Sequence, residues 1–405
     1  MLTLSEAAQR NRAPPGRGMV VTALGLAQIL AWGSSFYFPA VFASPIVAET
    51  GWSLGFVVGG VSLGLLVAGL VSPQVGRVVE RRGGRPVLLT SSLCYIAGLT
   101  GIALAPSLTV YLGAWVILGV GMGTGLYDAV FATLGRLYGL GARHAITNLT
   151  LFGGFSSTVC WPLSAAMIDG LGWRGACLAY AALHLCFAMP LQMFATRGAV
   201  AGPPAVATSE VGEGAPLPDE TVILALLMGI LCIASALGAI FVVYLFIFLE
   251  ARGVGSAAAI WLGTLFGPSQ VAARIVERLF GSGYHPIWTM VGSCGLMAAG
   301  LILLSAGASL PVIIILLFGA GFGISLVARG TLPLALFGPQ RFPRLMGRIA
   351  FPSLMVQAVA PSLGALLIDS IGTDATIGTL LLLAIVNLIL IAALLSMWRK
   401  TIREH

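Results

Sequence analysis

Charge is scarce in this chain. Asp, Glu, Lys and Arg make up 9% of its 405 residues, against roughly 25% in an ordinary soluble domain, which excludes a normally solvated surface. Lysine is nearly missing as well: Lys400 stands alone beside twenty arginines, a bias that points to a GC-rich bacterial genome. Histidines number four and cysteines six. Cys94, Cys160, Cys177, Cys186, Cys232 and Cys294 are scattered singly along apolar stretches, with no pair at metal or redox spacing, and read as small core residues. No nucleotide-binding loop, metal cluster or nucleophile constellation is found. The sequence therefore predicts no metal, no cofactor and no enzyme. A cleavable signal is not expected either, because the first apolar run follows a polar, proline-containing leader and is too long for a signal core.

What the chain has in abundance is apolar length. Hydrophobic residues reach 58%, and runs of about 20, enough to cross a bilayer, recur throughout. Twelve are read, at roughly 19–44, 54–75, 87–105, 108–135, 146–168, 175–196, 220–249, 256–276, 287–305, 311–337, 349–368 and 375–397. The expected fold is an all-α membrane protein with twelve transmembrane helices in two pseudo-symmetric six-helix bundles. An even count puts both ends on one side. If that side is cytoplasmic, 17 of the 21 basic residues fall in the termini and cytoplasmic loops. Only Arg174 and Arg252 lie on the opposite face, while Arg274 and Arg329 lie within helices. The positive-inside rule then places both termini in the cytoplasm. The net charge of +7 is explained by this topology, so the partner is the lipid bilayer and no nucleic acid is expected.

Two copies of one plan lie end to end, offset by close to 200 residues. Gly119, Gly121 and Gly123 return as Gly319, Gly321 and Gly323. Ile168, Asp169 and Gly172 return as Ile368, Asp369 and Gly372, and Gly83, Arg85 and Pro86 are matched by Gly283, His285 and Pro286. Duplication within so apolar a chain is the pattern of carriers whose two halves rock about a site between them. The expected organisation is a cytoplasmic leader (1–18), a first bundle (19–196), a Pro-, Gly- and acid-bearing flexible linker (197–219), a second bundle (220–398) and a cytoplasmic tail (399–405). Most of the 53 glycines read as packing positions that let helices approach closely in lipid.

Between the second and third runs, Gly76, Glu80, Arg81, Gly83 and Arg85 fill the defined positions of a loop motif. It resembles the loop 2–3 signature of the major facilitator superfamily, with Glu where the family more often has Asp. The resemblance extends over the twelve runs, the two halves and the central linker. It implies that Gly83 makes the tight turn and that Glu80 and the arginines pair with neighbouring helix ends, Arg136 being a candidate partner for Glu80. Four further stretches resemble the monocarboxylate and oxalate/formate carrier branch: Phe38-Pro39, Gly172-Trp173-Arg174-Gly175, Val271-Ala272-Ala273-Arg274 and Gly338-Pro339-Gln340-Arg341-Phe342. By that resemblance Arg274 falls on the arginine that meets the substrate carboxylate. Because of two departures, proton–lactate symport does not simply carry over. Gln270 replaces an acid four residues earlier, and Ala40 replaces a lysine after Phe-Pro. Cys160-Trp161-Pro162 likewise replaces the Gly-Pro core of the drug–proton antiporter motif.

A charge in the membrane costs at least ~2.5–3.5 kcal/mol on insertion scales, so each demands a partner or a function. Asp128 is expected roughly 12 Å inside at 1.5 Å per residue, and Arg329 at similar depth. Position 128 maps to 328 in the repeat, and the resemblance would set this acid and base across a cavity lined by helices 1, 4, 7 and 10. Two accounts stand. Arg329 and Arg274 clamp a small organic anion while Asp128 carries a proton or answers the substrate, or Asp128 and Arg329 simply close a buried salt bridge. For Arg274 the bland alternative is pairing with Glu277, one turn on. Gln28, Trp32, Tyr127, Gln270 and Gln357 could complete the site, and His184 reads as a satisfied core residue. The expected function is a monomeric secondary carrier of the bacterial inner membrane, moving a small organic anion, a carboxylate, with or without protons. An exporter of apolar or cationic compounds and a non-transporting sensor are the alternatives.

Overall fold

The structure, a computed structural model, describes residues 16–197, 220–307 and 310–404. The expected leader up to residue 15 and the linker from 198 to 219 lie outside the described residues. Regular structure among the described residues is helical throughout, without a strand. The elements are α1 (Arg17–Gly33), α2 (Pro39–Thr50), α3 (Leu54–Arg82), α4 (Gly84–Ala103), α5 (Leu108–Gly125), α6 (Tyr127–Tyr138), α7 (Ala142–Gly154) and α8 (Ser156–Leu183), a π-helical turn (His184–Ala188), then α9 (Met189–Ala195), α10 (Glu220–Glu250), α11 (Ser256–Gly263), α12 (Phe266–Phe280), α13 (Pro286–Ser305) and α14 (Pro311–Glu404). Six helical stretches are long and apolar enough to cross a membrane. Two of these, 108–195 and 311–400, are composite. Gly172 breaks the first at φ 67, and Gly338 and Gly372 break the second at φ 74 and 83.

Several apolar runs that the sequence presents as continuous are interrupted. The first stops at Gly33 and resumes at Pro39, a residue suited to the first helical position. The fourth breaks at Leu126, whose backbone is extended between α5 and α6. That break gives α6 its own N-terminus, with Asp128 in the first turn.

The chain divides into two compact units, residues 1–205 with 337–351, and 206–336 with 352–405. The stretch 337–351 thus packs with the first unit although it lies far along the chain. A methyl at Gly135 of α6 would meet the Phe342 ring at 2.2 Å, and one at Gly347 would meet the Ser72 carbonyl of α3 at 2.4 Å.

The repeated glycines have one packing role in both units. In the first, Gly119 and Gly123 bring α5 against α3 at the Gly64 and Ala68 carbonyls, where an added methyl would sit at 2.6 and 2.8 Å. Gly121 faces α4, and its carbonyl accepts from Ser91 at 2.8 Å. In the second, Gly319 and Gly323 meet Ser269 and Gln270 of α12. The Gly321 carbonyl there accepts from Ser293 of α13, again at 2.8 Å. Close helix approach at small residues holds both layers together.

Each unit also fastens its helix ends with an arginine and an acid, and the two charges trade places. In the first, Arg174 Nε meets Glu49 Oε1 at 2.9 Å while its Nη1 donates to the Ala103 carbonyl at 2.6 Å, at the end of α4. In the second, Arg252, following α10, donates to the Leu304 carbonyl at 2.7 Å, near the end of α13, and to Asp374 Oδ1 at 2.5 Å. Arg174 and Asp374 stand 200 positions apart, and Glu49 and Arg252 stand 203 apart, so base and acid are interchanged at nearly equivalent places.

Candidate functional site

Within the first unit, the break in α1 and the break between α5 and α6 are tied together. Gln28, buried to 1% exposure, donates to the Gly125 carbonyl at 2.5 Å and accepts from Trp32 Nε1 at 3.0 Å. Because α5 ends at Gly125, that carbonyl has no helical partner ahead of it, and the glutamine amide supplies one. Trp32 lies 5.0 Å, centroid to centroid, from Tyr127, which stacks on Phe131 at 5.2 Å. Asp128 follows at the start of α6, half-buried, where the partial positive charge of a helix N-terminus favours a carboxylate. Gln28, Trp32 and Tyr127, all read from the sequence, are thus joined through Trp32, with Asp128 next along the backbone.

Two aromatic neighbours escaped the sequence reading. Phe36 stands edge-on to Trp32 at 5.4 Å, and Trp161 stands edge-on to Tyr37 at 6.0 Å. Trp161 also walls a groove of about 510 Å³ between α2 and α8, lined further by Ala40, Val41, Thr158 and Pro162. The departure Cys160-Trp161-Pro162 was the available signal. A tryptophan in place of a small residue puts a large ring where the antiporter pattern has none.

Within the second unit, Arg274 is 2% exposed. Its Nε donates to the Gly323 carbonyl of α14 at 3.0 Å, and its Nη2 donates to Gln270 Oε1 at 3.2 Å. A side chain at Gly323 would run into the Gln270 backbone at 2.7 Å, so the bare glycine is what lets the guanidinium reach that carbonyl. Glu277 accepts from Tyr284 at 2.6 Å and Thr289 at 2.8 Å, and its side chain lies over Gly281 beyond the end of α12. Arg329 is 7% exposed and within electrostatic reach of Cys232 of α10. Gln357 is half-buried on α14.

At the loop motif, Gly83 has φ 80, a region that glycine enters without a Cβ penalty. Arg136 of α6 donates to Glu80 through that residue's main-chain oxygen, whereas the sequence suggested the carboxylate. The carbonyls in the last turn of a helix lack helical partners, and Glu80 lies in the last turn of α3. Gly76 packs instead of turning: a methyl there would sit 2.7 Å from the Pro343 carbonyl. Arg81 and Arg85 are exposed.

A family model described as Major Facilitator Superfamily matches residues 24–332. Among curated proteins, the chain is 33% identical to Monocarboxylate transporter 11 of Mus musculus over 159 residues, 38% of this chain and 35% of that protein. It is 32% identical to Monocarboxylate transporter 13 of Rattus norvegicus over 173 residues, 41% and 40% of the two chains. These matches span well under half the length of either relative. Among solved structures, the human organic anion transporter MFSD10 superposes with a TM-score of 0.70 at 16% identity, over 93% of this chain and 100% of the other. The proton:xylose symporter XylE gives 0.70 at 12% identity, over 95% and 96%. At such identities the likeness is one of fold.

Proposed function

Because the chain belongs to the Major Facilitator Superfamily, we propose that it is a secondary carrier that moves a small organic anion, a carboxylate, by alternating access. It does so in a bacterial inner membrane, crossing twelve times as bundles 19–196 and 220–398, with both ends and the 197–219 linker in the cytoplasm. The observation that carries this reading is the pair of buried arginines, Arg274 and Arg329, in one apolar unit. A guanidinium is always charged, and its planar fork matches a carboxylate. Two of them under membrane-facing helices answer to an anion better than to a cation or a neutral sugar. The partially matching relatives bear monocarboxylate names, which agrees with the same cargo class. In this reading Asp128 takes the coupling proton, Gln28, Trp32, Tyr127, Gln270 and Gln357 shape the binding surfaces, and the motif of Gly76, Glu80, Arg81, Gly83, Arg85 and Arg136 governs the cytoplasmic end.

The test is a thermal-shift screen of the purified protein against mono- and dicarboxylates, other anions and lipophilic cations, followed by counterflow in proteoliposomes. A ligand that binds the folded state raises its melting temperature by mass action. Carboxylates are expected to stabilise and to exchange, and Arg329→Gln is expected to abolish uptake at an unchanged folded yield. Stabilisation by cations alone, or normal uptake by the variant, would overturn the reading. Binding without counterflow would point to a sensor.

A further inference from the structure

His184 occupies the start of the π-helical turn between α8 and α9, 1% exposed. Its ring stacks on Tyr95 of α4 at 4.4 Å with an 8° tilt. Its Nε2 lies 2.9 Å from the Ser34 hydroxyl, and its Nδ1 is buried with no hydrogen-bond partner. The sequence suggests a satisfied core histidine, yet half of the imidazole's polar capacity is idle.

Counting protons assigns a direction to each bond. Ser34 Oγ has one hydrogen, and with it on the Leu30 carbonyl at 2.7 Å the oxygen accepts from His184. The ring is then assigned as the Nε2–H tautomer, with Nδ1 a bare acceptor. Ser35 repeats the pattern. Its hydroxyl donates to the Ala31 carbonyl at 2.6 Å and so accepts from the Tyr95 hydroxyl at 3.1 Å. Leu30 and Ala31 are in the last turn of α1: the Leu30 carbonyl takes the Ser34 N–H at 2.9 Å as well as the hydroxyl, and the Ala31 carbonyl takes the Ser35 hydroxyl. Two serines cap that end, and two stacked rings hold the serines from outside. A leucine or phenylalanine would fill the space without stranding an acceptor. What the imidazole adds is the Nε2–H aimed at Ser34. The π-helical turn is a feature frequent at functional sites.

We propose that His184, stacked on Tyr95, is a positioning residue that pins the interruption of α1 between Gly33 and Pro39, and so fixes the rings of Trp32, Phe36 and Tyr37. The pin stands on geometry alone, while its consequence for transport rests on the carrier reading.

The experiment is hydrogen exchange on the full chain in nanodiscs, read over residues 30–38, with uptake kinetics of the carboxylate found in the screen measured in parallel. His184→Leu is expected to speed exchange of this segment roughly tenfold, and to raise KM roughly three- to tenfold with Vmax within about twofold, the worth of one to two neutral hydrogen bonds. Ser34→Ala should reproduce both effects from the other side of the bond. His184→Gln, whose terminal amide keeps a donor at similar reach, should return both to wild type. Wild-type exchange in His184→Leu would overturn the proposal. So would equal damage by Gln and Leu, which would place the effect in packing. Full protection by Gln with an altered pH profile of uptake would reassign the ring to carrying protons. Absent uptake in the wild type would sink the carrier reading and leave the exchange result to decide the pin.

Discussion

Exchanging Arg174 for glutamine removes a guanidinium that serves three acceptors: Glu49 Oε1 at 2.9 Å and the Ala103 and Ala105 carbonyls at 2.6 and 3.3 Å. It also removes a cation placed 4.3 Å over the Trp173 ring. Ala103 and Ala105 are each 1% exposed, so water is poorly placed to replace the lost donor. A buried acceptor left unmade costs about 1–3 kcal/mol, and the lost cation–π contact about 0.5–1 kcal/mol at an exposed site. The ion pair itself is 39% and 53% exposed on its two sides and adds little, because solvent screens it. A net loss of about 2–3 kcal/mol lowers the melting temperature by roughly 5–10 °C if the unit unfolds as a body of about 200 residues. Unfolding of the detergent-purified protein, followed by loss of near-UV circular dichroism, reads it directly. Glu49→Gln serves as the control and should shift melting far less. If Arg174→Gln melts like the wild type, the capping argument fails. It fails equally if Glu49→Gln costs as much, since the ion pair would then be the fastening.

Glu49 also gives a pH signature. The Arg174 hydrogen bond holds its carboxyl below the usual glutamate range, with Trp173 adding to the effect and burial opposing it. A depressed folded value means that its stabilisation is fully present above the ordinary glutamate pKa of about 4.3 and fades as pH falls through the lower folded value. The melting difference between wild type and Glu49→Gln should therefore shrink below about pH 4.3, and a constant gap would contradict the assignment. Gly323→Val puts a branched side chain against the Gln270 backbone and should cost about 1–3 kcal/mol through overpacking, with loss of carboxylate-induced stabilisation as Arg274 shifts; normal melting and ligand response would refute the close approach. Asp128→Asn should change the pH dependence of transport, and an unchanged profile would remove it from the coupling role.

How much of this was legible in advance depended on the range of the forces involved. The repeated glycines were readable because close packing demands small residues at fixed spacing, and Gly119, Gly121 and Gly123 do in one unit what Gly319, Gly321 and Gly323 do in the other. The interruption after Gly33 was not readable. Ser34 to Phe38 hold no glycine, and only Pro39 hints at a break that α4 and the turn after α8 hold in place. Arg252 and Asp374 stand 122 positions apart and carry no mutual sequence mark. The contact between Gln28 and the Gly125 carbonyl was equally hidden, although Gln28, Trp32 and Tyr127 were individually conspicuous as polar or amphipathic groups in apolar runs. Glu80 was chosen by charge, while the geometry used its carbonyl.

The fastenings of Arg174 with Glu49 and Arg252 with Asp374 run in opposite charge order, so reversing one partner alone would set like charges against each other across the joint. Each corner now closes only with its own kin. A chimera that splices the end of α10 from the second half onto the α8 corner of the first would bring Arg252 to Arg174, two bases at a joint built for one.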